Sequence, residues 1–132
     1  MTDASRTAET KPPAPLRLHR LIGPLYRVVF DQKQTTYGYT LALWVGVLPG
    51  ADRKVGVVVS KRSFRRAVDR NRAKRLLREA FRLTRPKLVE GVSVILVARG
   101  AIEGKTCQDV MRDLRKTCRR AKILKPEVDE AK

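Results

Sequence analysis

Three observations predict an α+β fold with a single sheet of about four strands. Residues 38–47, GYTLALWVGV, alternate apolar and smaller or polar side chains with the period of a strand. Residues 92–98, VSVILVA, form a near-continuous apolar run suited to a central strand buried on both faces. Two further segments, around Ala73–Thr84 and from Thr106 to Ala121, space their apolar residues for amphipathic helices. Such elements satisfy one another as helices packed on one sheet.

Taken in chain order, the first element is a helix over about 24–33. Pro24 suits its first turn, where a missing N–H costs nothing. Leu25, Val28, Val29 and Gln32 fall near one face, with Tyr26 and Phe30 (i, i+4) stacked on an adjoining flank. In the strand that follows, Tyr39, Leu41, Leu43, Val45 and Val47 point one way, and Thr40, Ala42 and Trp44 the other. A turn at Pro49-Gly50-Ala51-Asp52 leads to a strand over 54–60. The 92–98 strand opens after Gly91. The last helix starts at Thr106 as N-cap, with Asp109 opposing the helix dipole and Val110, Met111, Leu114, Cys118 and Ala121 as its apolar stripe. Residues 1–15 and 125–132 are polar and expected to be disordered, so one domain over 16–124 remains.

Charge is the most unequal property of the chain. Between Lys61 and Arg85 eleven lysines and arginines face only Asp69 and Glu79, a surplus of nine out of a net +17. On a helical wheel Ala73, Leu76, Leu77, Ala80, Phe81 and Thr84 gather on one side, and Asn71, Lys74, Arg75, Arg78, Arg82 and Arg85 on the other. Burying the two leucines and the phenylalanine, at about 1.5–3 kcal/mol each, fixes the cationic side relative to the sheet. A solvated surface helix would interleave acids at i+4. Here Glu79 is the only acid within reach of most of these cations, whose guanidinium groups can grip phosphate with paired hydrogen bonds, so a polyanion such as a nucleic-acid backbone is the expected partner. Asn71, an amide among cations, suits a base edge, a ribose hydroxyl or a helix cap.

The stretch VSKRSFRRAVDRNRAKRLLREAF, centred on Arg70-Asn71-Arg72, closely resembles the signature of the bacterial ribonuclease P protein subunit, and a weaker resemblance extends from about Leu16 to Leu124. The resemblance implies a mixed sheet with an N-terminal helix, a central basic helix and a C-terminal helix. It also implies a left-handed crossover around the basic helix, against the usual right-handed preference. The function it implies is that of a subunit of an endoribonuclease holoenzyme. The protein would bind a catalytic RNA and help it remove the 5′ leader from precursor tRNA, without a catalytic residue or a required protein partner of its own. Arg65, Arg66, Arg70, Asn71, Arg72, Lys74, Arg75, Arg78 and Arg82 are then expected to lie on the catalytic RNA. Mg²⁺ is expected to bind mainly to the RNA.

The same resemblance places a single-stranded leader between the first helix and the open sheet face, lined by Tyr26, Phe30 and Trp44, with Ser60, Lys61 and Arg62 beside its phosphates. By spacing alone these aromatics serve either as core and rim packing or as stacking platforms for bases.

The remaining composition excludes several classes. One histidine, His19, expected at the surface, and scattered acids do not make a protein nuclease, and no glycine-rich phosphate loop is present. Cys107 and Cys118, eleven residues apart on one predicted helix, are separated by roughly 16 Å of rise, too far for a disulfide. No apolar run spans a bilayer and the first fifteen residues hold no apolar stretch, so a cytoplasmic location without a membrane is the expectation. A ribosomal or other structural RNA-binding protein would share the high isoelectric point, near 10.9, and the α+β build. A helix-turn-helix DNA reader is disfavoured by the strands.

Overall fold

The computed structural model describes residues 19–125. The segment 1–15, and 126–132 of the predicted tail, therefore lie outside the described residues. In order, the elements are helix α1 (Gly23–Asp31), strands β1 (Gln34–Tyr37), β2 (Leu41–Val47) and β3 (Val55–Val58), helix α2 (Ala67–Thr84), strand β4 (Val92–Ala98) and helix α3 (Cys107–Arg120). Short 3-10 turns at Arg85–Lys87 and Gly100–Ile102 follow α2 and β4.

The four strands form one mixed sheet in the order β1-β2-β4-β3. β2 is antiparallel to β1 and to β4, whereas β3 runs parallel to β4 and reaches it through α2. The apolar β4 is thus central, and helices cover both of its faces. On one face Leu41, Leu43, Val94 and Leu96 pack with Leu77 and Phe81 of α2 and Val110, Leu114 and Cys118 of α3. On the other, Ile95 meets Val29 of α1 with Leu21 and Leu48, and Trp44, Tyr26 and Phe30 pack against them.

Predicted alternation in β2 holds from Leu41 to Val45, but the strand begins three residues later than expected. Tyr39 leaves the row because the chain turns there. The N–H groups of Tyr39 and Thr40 donate to Asp113 of α3, Thr40 at 2.6 Å. At the other end Val47 is exposed. The Gln32 side chain acts there as a short piece of strand: its amide donates to the Val47 carbonyl at 3.0 Å and its oxygen accepts the Val47 N–H at 2.9 Å.

In α1 the apolar stripe is rotated from the predicted one. Val28 faces solvent, and the packed side consists of Leu25, Tyr26, Val29 and Phe30. Two large rings reaching the sheet bury more area than one valine, so they set the helix's rotation. Glycines make this approach possible. A Cβ on Gly46 would stand 3.1 Å from the Val29 Cα, and one on Gly56 would enter the Tyr26 ring at 2.5 Å.

α3 is capped as predicted. The Asp109 N–H donates to the Thr106 hydroxyl and the Thr106 N–H to the Asp109 carboxylate. Cys107 and Cys118 both lie in α3 as free thiols, and burial pushes the Cys118 thiol up to about 12. His19 departs from the surface role expected of it. Its Nε2 is buried with no hydrogen-bond partner among the described residues, and burial beside Arg85, Lys54 and Arg53 holds its imidazole below the ordinary histidine range.

Candidate nucleic-acid interface

α2 forms because its buried stripe outweighs its charge. Ala73, Leu77, Ala80, Phe81 and Thr84 are buried, with Leu76 partly so. At 100° per residue the opposite side carries Asn71, Arg75, Arg78 and Arg82, a ridge with spacings of four, three and four residues. Asn71, Arg72 and Arg75 are exposed, while Arg70, Lys74, Arg78 and Arg82 are half-buried. Asn71 sits inside α2, so the capping role left open for it does not apply.

Not every cation on this helix is presented in the same way. Arg82 pairs with Glu79 at 2.7 Å, which pulls the Glu79 carboxyl below its usual range. Burial, with the Arg20 charge nearby, lowers the Arg78 guanidinium from its ordinary value. Arg72 donates to the Lys105 carbonyl at 3.1 Å, which ties α2 to the loop before α3. Arg85, grouped with the cationic side by the wheel, turns instead to the loop before β3 and donates to the carbonyls of Arg53 and Asp52, each at 2.9 Å. It is a latch between α2 and that loop.

The segment before α2 is ordered by three anchors. Phe64 is buried in the main core. The Ser60 hydroxyl accepts the N–H groups of Arg62 and Ser63 at 3.0 and 3.2 Å. Arg70 spends one guanidinium nitrogen on the Phe64 and Arg65 carbonyls, both at 2.9 Å. Lys61, Arg62, Arg65 and Arg66 are exposed on the segment so fixed. The Arg66 guanidinium lies 3.6 Å from Asp69.

On the opposite face of the sheet the structure brings together the three predicted aromatics. Phe30 and Trp44 meet edge to face with centroids 4.9 Å apart, and both rings are half-buried. The Tyr26 ring covers Gly56, and its hydroxyl oxygen accepts the Val57 N–H at 3.2 Å. Val57 is on the outer edge of β3, and this contact, with the Leu21 N–H donated to the Val55 carbonyl at 2.8 Å, closes part of that edge. Tyr26 therefore braces α1 against the outer edge of β3.

Tyr37 carries no predicted role, and Tyr39 is predicted in a strand row. Both are exposed, at 61% and 66%, each with a cation over its ring: Arg99 at 5.6 Å and Lys105 at 5.5 Å. The signal available was the pair of tyrosines around Gly38, whose partners come from segments sixty and more residues away.

Among the described residues, no group of three or more His, Cys, Asp or Glu is gathered to hold a metal ion. No helix among them is long and apolar enough to cross a membrane.

Fold and surface together define a class: a single-sheet α+β protein presenting guanidinium groups on a firmly seated helix, a build suited to a polyanion. The family model for ribonuclease P matches residues 17–122. The ribonuclease P protein component of Alcanivorax borkumensis is 38% identical over 102 residues, covering 74% of this chain and 82% of the relative. That of Brevibacillus brevis is 31% identical over 111 residues, covering 83% and 87%. The chain belongs to the ribonuclease P protein family. Two solved structures show the same fold. The Staphylococcus aureus RNase P protein, as a mutant with defective mRNA degradation activity, superimposes with a TM-score of 0.71 at 21% identity, covering 82% of this chain and 92% of that one. The Thermotoga maritima RNase P protein gives 0.65 at 22%, covering 76% and 96%.

Proposed function

We propose that this chain is the protein subunit of a ribonuclease P ribonucleoprotein, and that it binds both the catalytic RNA and the 5′ leader of precursor tRNA. One observation supports the reading above the others: the Asn71–Arg75–Arg78–Arg82 ridge stands on a buried stripe, so its cations meet a phosphate surface as a pre-ordered row. Arg65, Arg66, Arg70, Arg72 and Lys74 extend that contact along α2 and the segment before it. The Phe30–Trp44 pair, braced by Tyr26, takes leader bases, and Ser60, Lys61 and Arg62 take leader phosphates.

In this reading the RNA carries the hydrolysis and holds the Mg²⁺, and the protein acts by screening. Two RNA surfaces repel each other. A net +17 between them lowers the divalent-ion concentration needed for the active arrangement. By also contacting the leader, the protein favours precursor over mature product. The expected setting is the cytoplasm, with no membrane and no further protein. Family membership favours this over a ribosomal role. The test is reconstitution with the cognate catalytic RNA at low Mg²⁺. Addition of the protein should accelerate leader removal by at least about tenfold, as expected of roughly 1.4 kcal/mol or more of added stabilisation. No acceleration would refute the proposal.

A further inference from the structure

The sheet face of the proposed leader groove carries one more aromatic side chain than its predicted lining. β1 and β2 pair Tyr37 with Ala42, β2 and β4 pair Ala42 with Val97, and β4 and β3 pair Val97 with Val58. Trp44 lies in the parallel row Thr35–Trp44–Ile95–Gly56. Side chains two apart on a strand share a face, so Tyr37 is on the same face as Trp44, one row further along, roughly 7 Å away. α1 covers the Trp44 row, where Tyr26 lies on Gly56 and Phe30 on Trp44. In the next row Val58 and Val97 are only partly buried, and the Tyr37 ring is 61% exposed.

The turn that carries this ring is pinned. Arg99 donates to the Gly38 carbonyl at 2.7 Å while its guanidinium stands 5.6 Å from the Tyr37 centroid. Arg120 donates to the Tyr37 carbonyl. Gly38 sits against α3 so tightly that a Cβ there would stand 2.4 Å from the Thr117 hydroxyl. The opposite end of the row leads from Val58 to Ser60, and to the exposed Lys61 and Arg62. An apolar row with an exposed ring on a pinned turn at one end and cations at both ends has the chemistry for an unpaired nucleotide: a base on the ring and a phosphate on the guanidinium.

We propose that Tyr37 and Arg99 form a further nucleotide subsite that continues the leader groove one row beyond Trp44. The subsite takes a leader nucleotide farther along the strand than the one at Trp44. It rests on the leader reading of the groove, so the experiment separates the two.

Binding of the assembled holoenzyme is measured for precursor tRNAs whose leaders are shortened one nucleotide at a time, with Tyr37→Ala, Tyr37→Phe and Trp44→Leu proteins. Tyr37 is exposed, so its truncation leaves the core intact. Tyr37→Ala should weaken the longer-leader precursors by about tenfold, in the range expected of a single base stack. It should leave the shortest unaffected, so that the affinity gained per nucleotide stops earlier than in the wild type. Tyr37→Phe should restore the gain, because the ring and not the hydroxyl carries the stack. Equal losses at every leader length, or no loss at any, would overturn the subsite. If Tyr37→Ala changes nothing while Trp44→Leu weakens all but the leaderless precursor, the subsite falls and the groove stands. If neither substitution responds to leader length, both fall.

Discussion

Trp44 and Phe30 acquire their relation from two different periodicities. A strand's period of two sends Trp44 to the face opposite Leu41 and Leu43, and a helical i+4 step aligns Phe30 with Tyr26. Both were legible in the sequence. Their 4.9 Å approach was not, because it depends on the rotation of α1, which the exposed Val28 shows to be displaced from the simplest apolar stripe. The same limit applied to individual cations. Spacing put Arg85 with the ridge, yet it bonds carbonyls 32 and 33 residues away. Its neighbour Asp52 gives a residue-scale prediction. Hydrogen bonds from the Arg53 side chain and the Gly91 N–H hold the Asp52 carboxyl below its ordinary value near 3.8. A folded pKa below the unfolded one gives stability that is present above the unfolded pKa and lost as pH falls through the folded one. Urea unfolding at pH 7 and again near pH 3 should show a larger loss for the wild type than for Asp52→Asn. Equal losses would mean that the carboxylate contributes nothing there.

Helices α2 and α3 and the strand β4 could be located from sequence because each is long and strongly patterned. β1 could not, since Gln34-Thr35-Thr36-Tyr37 has no apolar alternation and becomes a strand only by pairing with β2. The Gln32–Val47 and Asp113–Thr40 bonds were invisible for a related reason: polar side chains standing in for backbone partners leave no periodic trace. The seating of α1 also turns on an element-level detail, the absence of a side chain at Gly46. Its added Cβ would meet the Val29 Cα at 3.1 Å, and backbone cannot swing aside as a flexible side chain can. Gly46→Ala should therefore cost about 1–3 kcal/mol by overpacking and displace α1 from the sheet. Chemical denaturation reads the first effect. Reduced affinity for precursor tRNA with unchanged affinity for mature tRNA reads the second. A variant as stable as the wild type, with intact precursor binding, would contradict this seating.

At the scale of the whole molecule, the sheet separates two surfaces. α2, with its cationic ridge, packs on one face, and α1 with the aromatic cluster on the other; β4 forms the centre of both cores. In the proposed function such a body holds a folded RNA by its helix ridge while a single strand lies across the far face. The charge surplus and the Arg-Asn-Arg stretch announced the first surface in the sequence. The second needed the strand register, because Tyr37 joins Trp44 only once β1 is known to pair with β2. The proposed function depends on the ridge meeting RNA and not standing as a solvated helix face. The most direct measurement is affinity for the catalytic RNA across a salt series, for the wild type and for a protein with Arg75, Arg78 and Arg82 changed to alanine. None of the three is fully buried, so the fold should survive. Every phosphate that the variant no longer neutralises lowers the slope of log K against log salt by about 0.7–0.9. The expected slope is therefore shallower by about two or more, with weaker binding at moderate salt. An unchanged slope in a folded variant would contradict the RNA-facing role of the ridge.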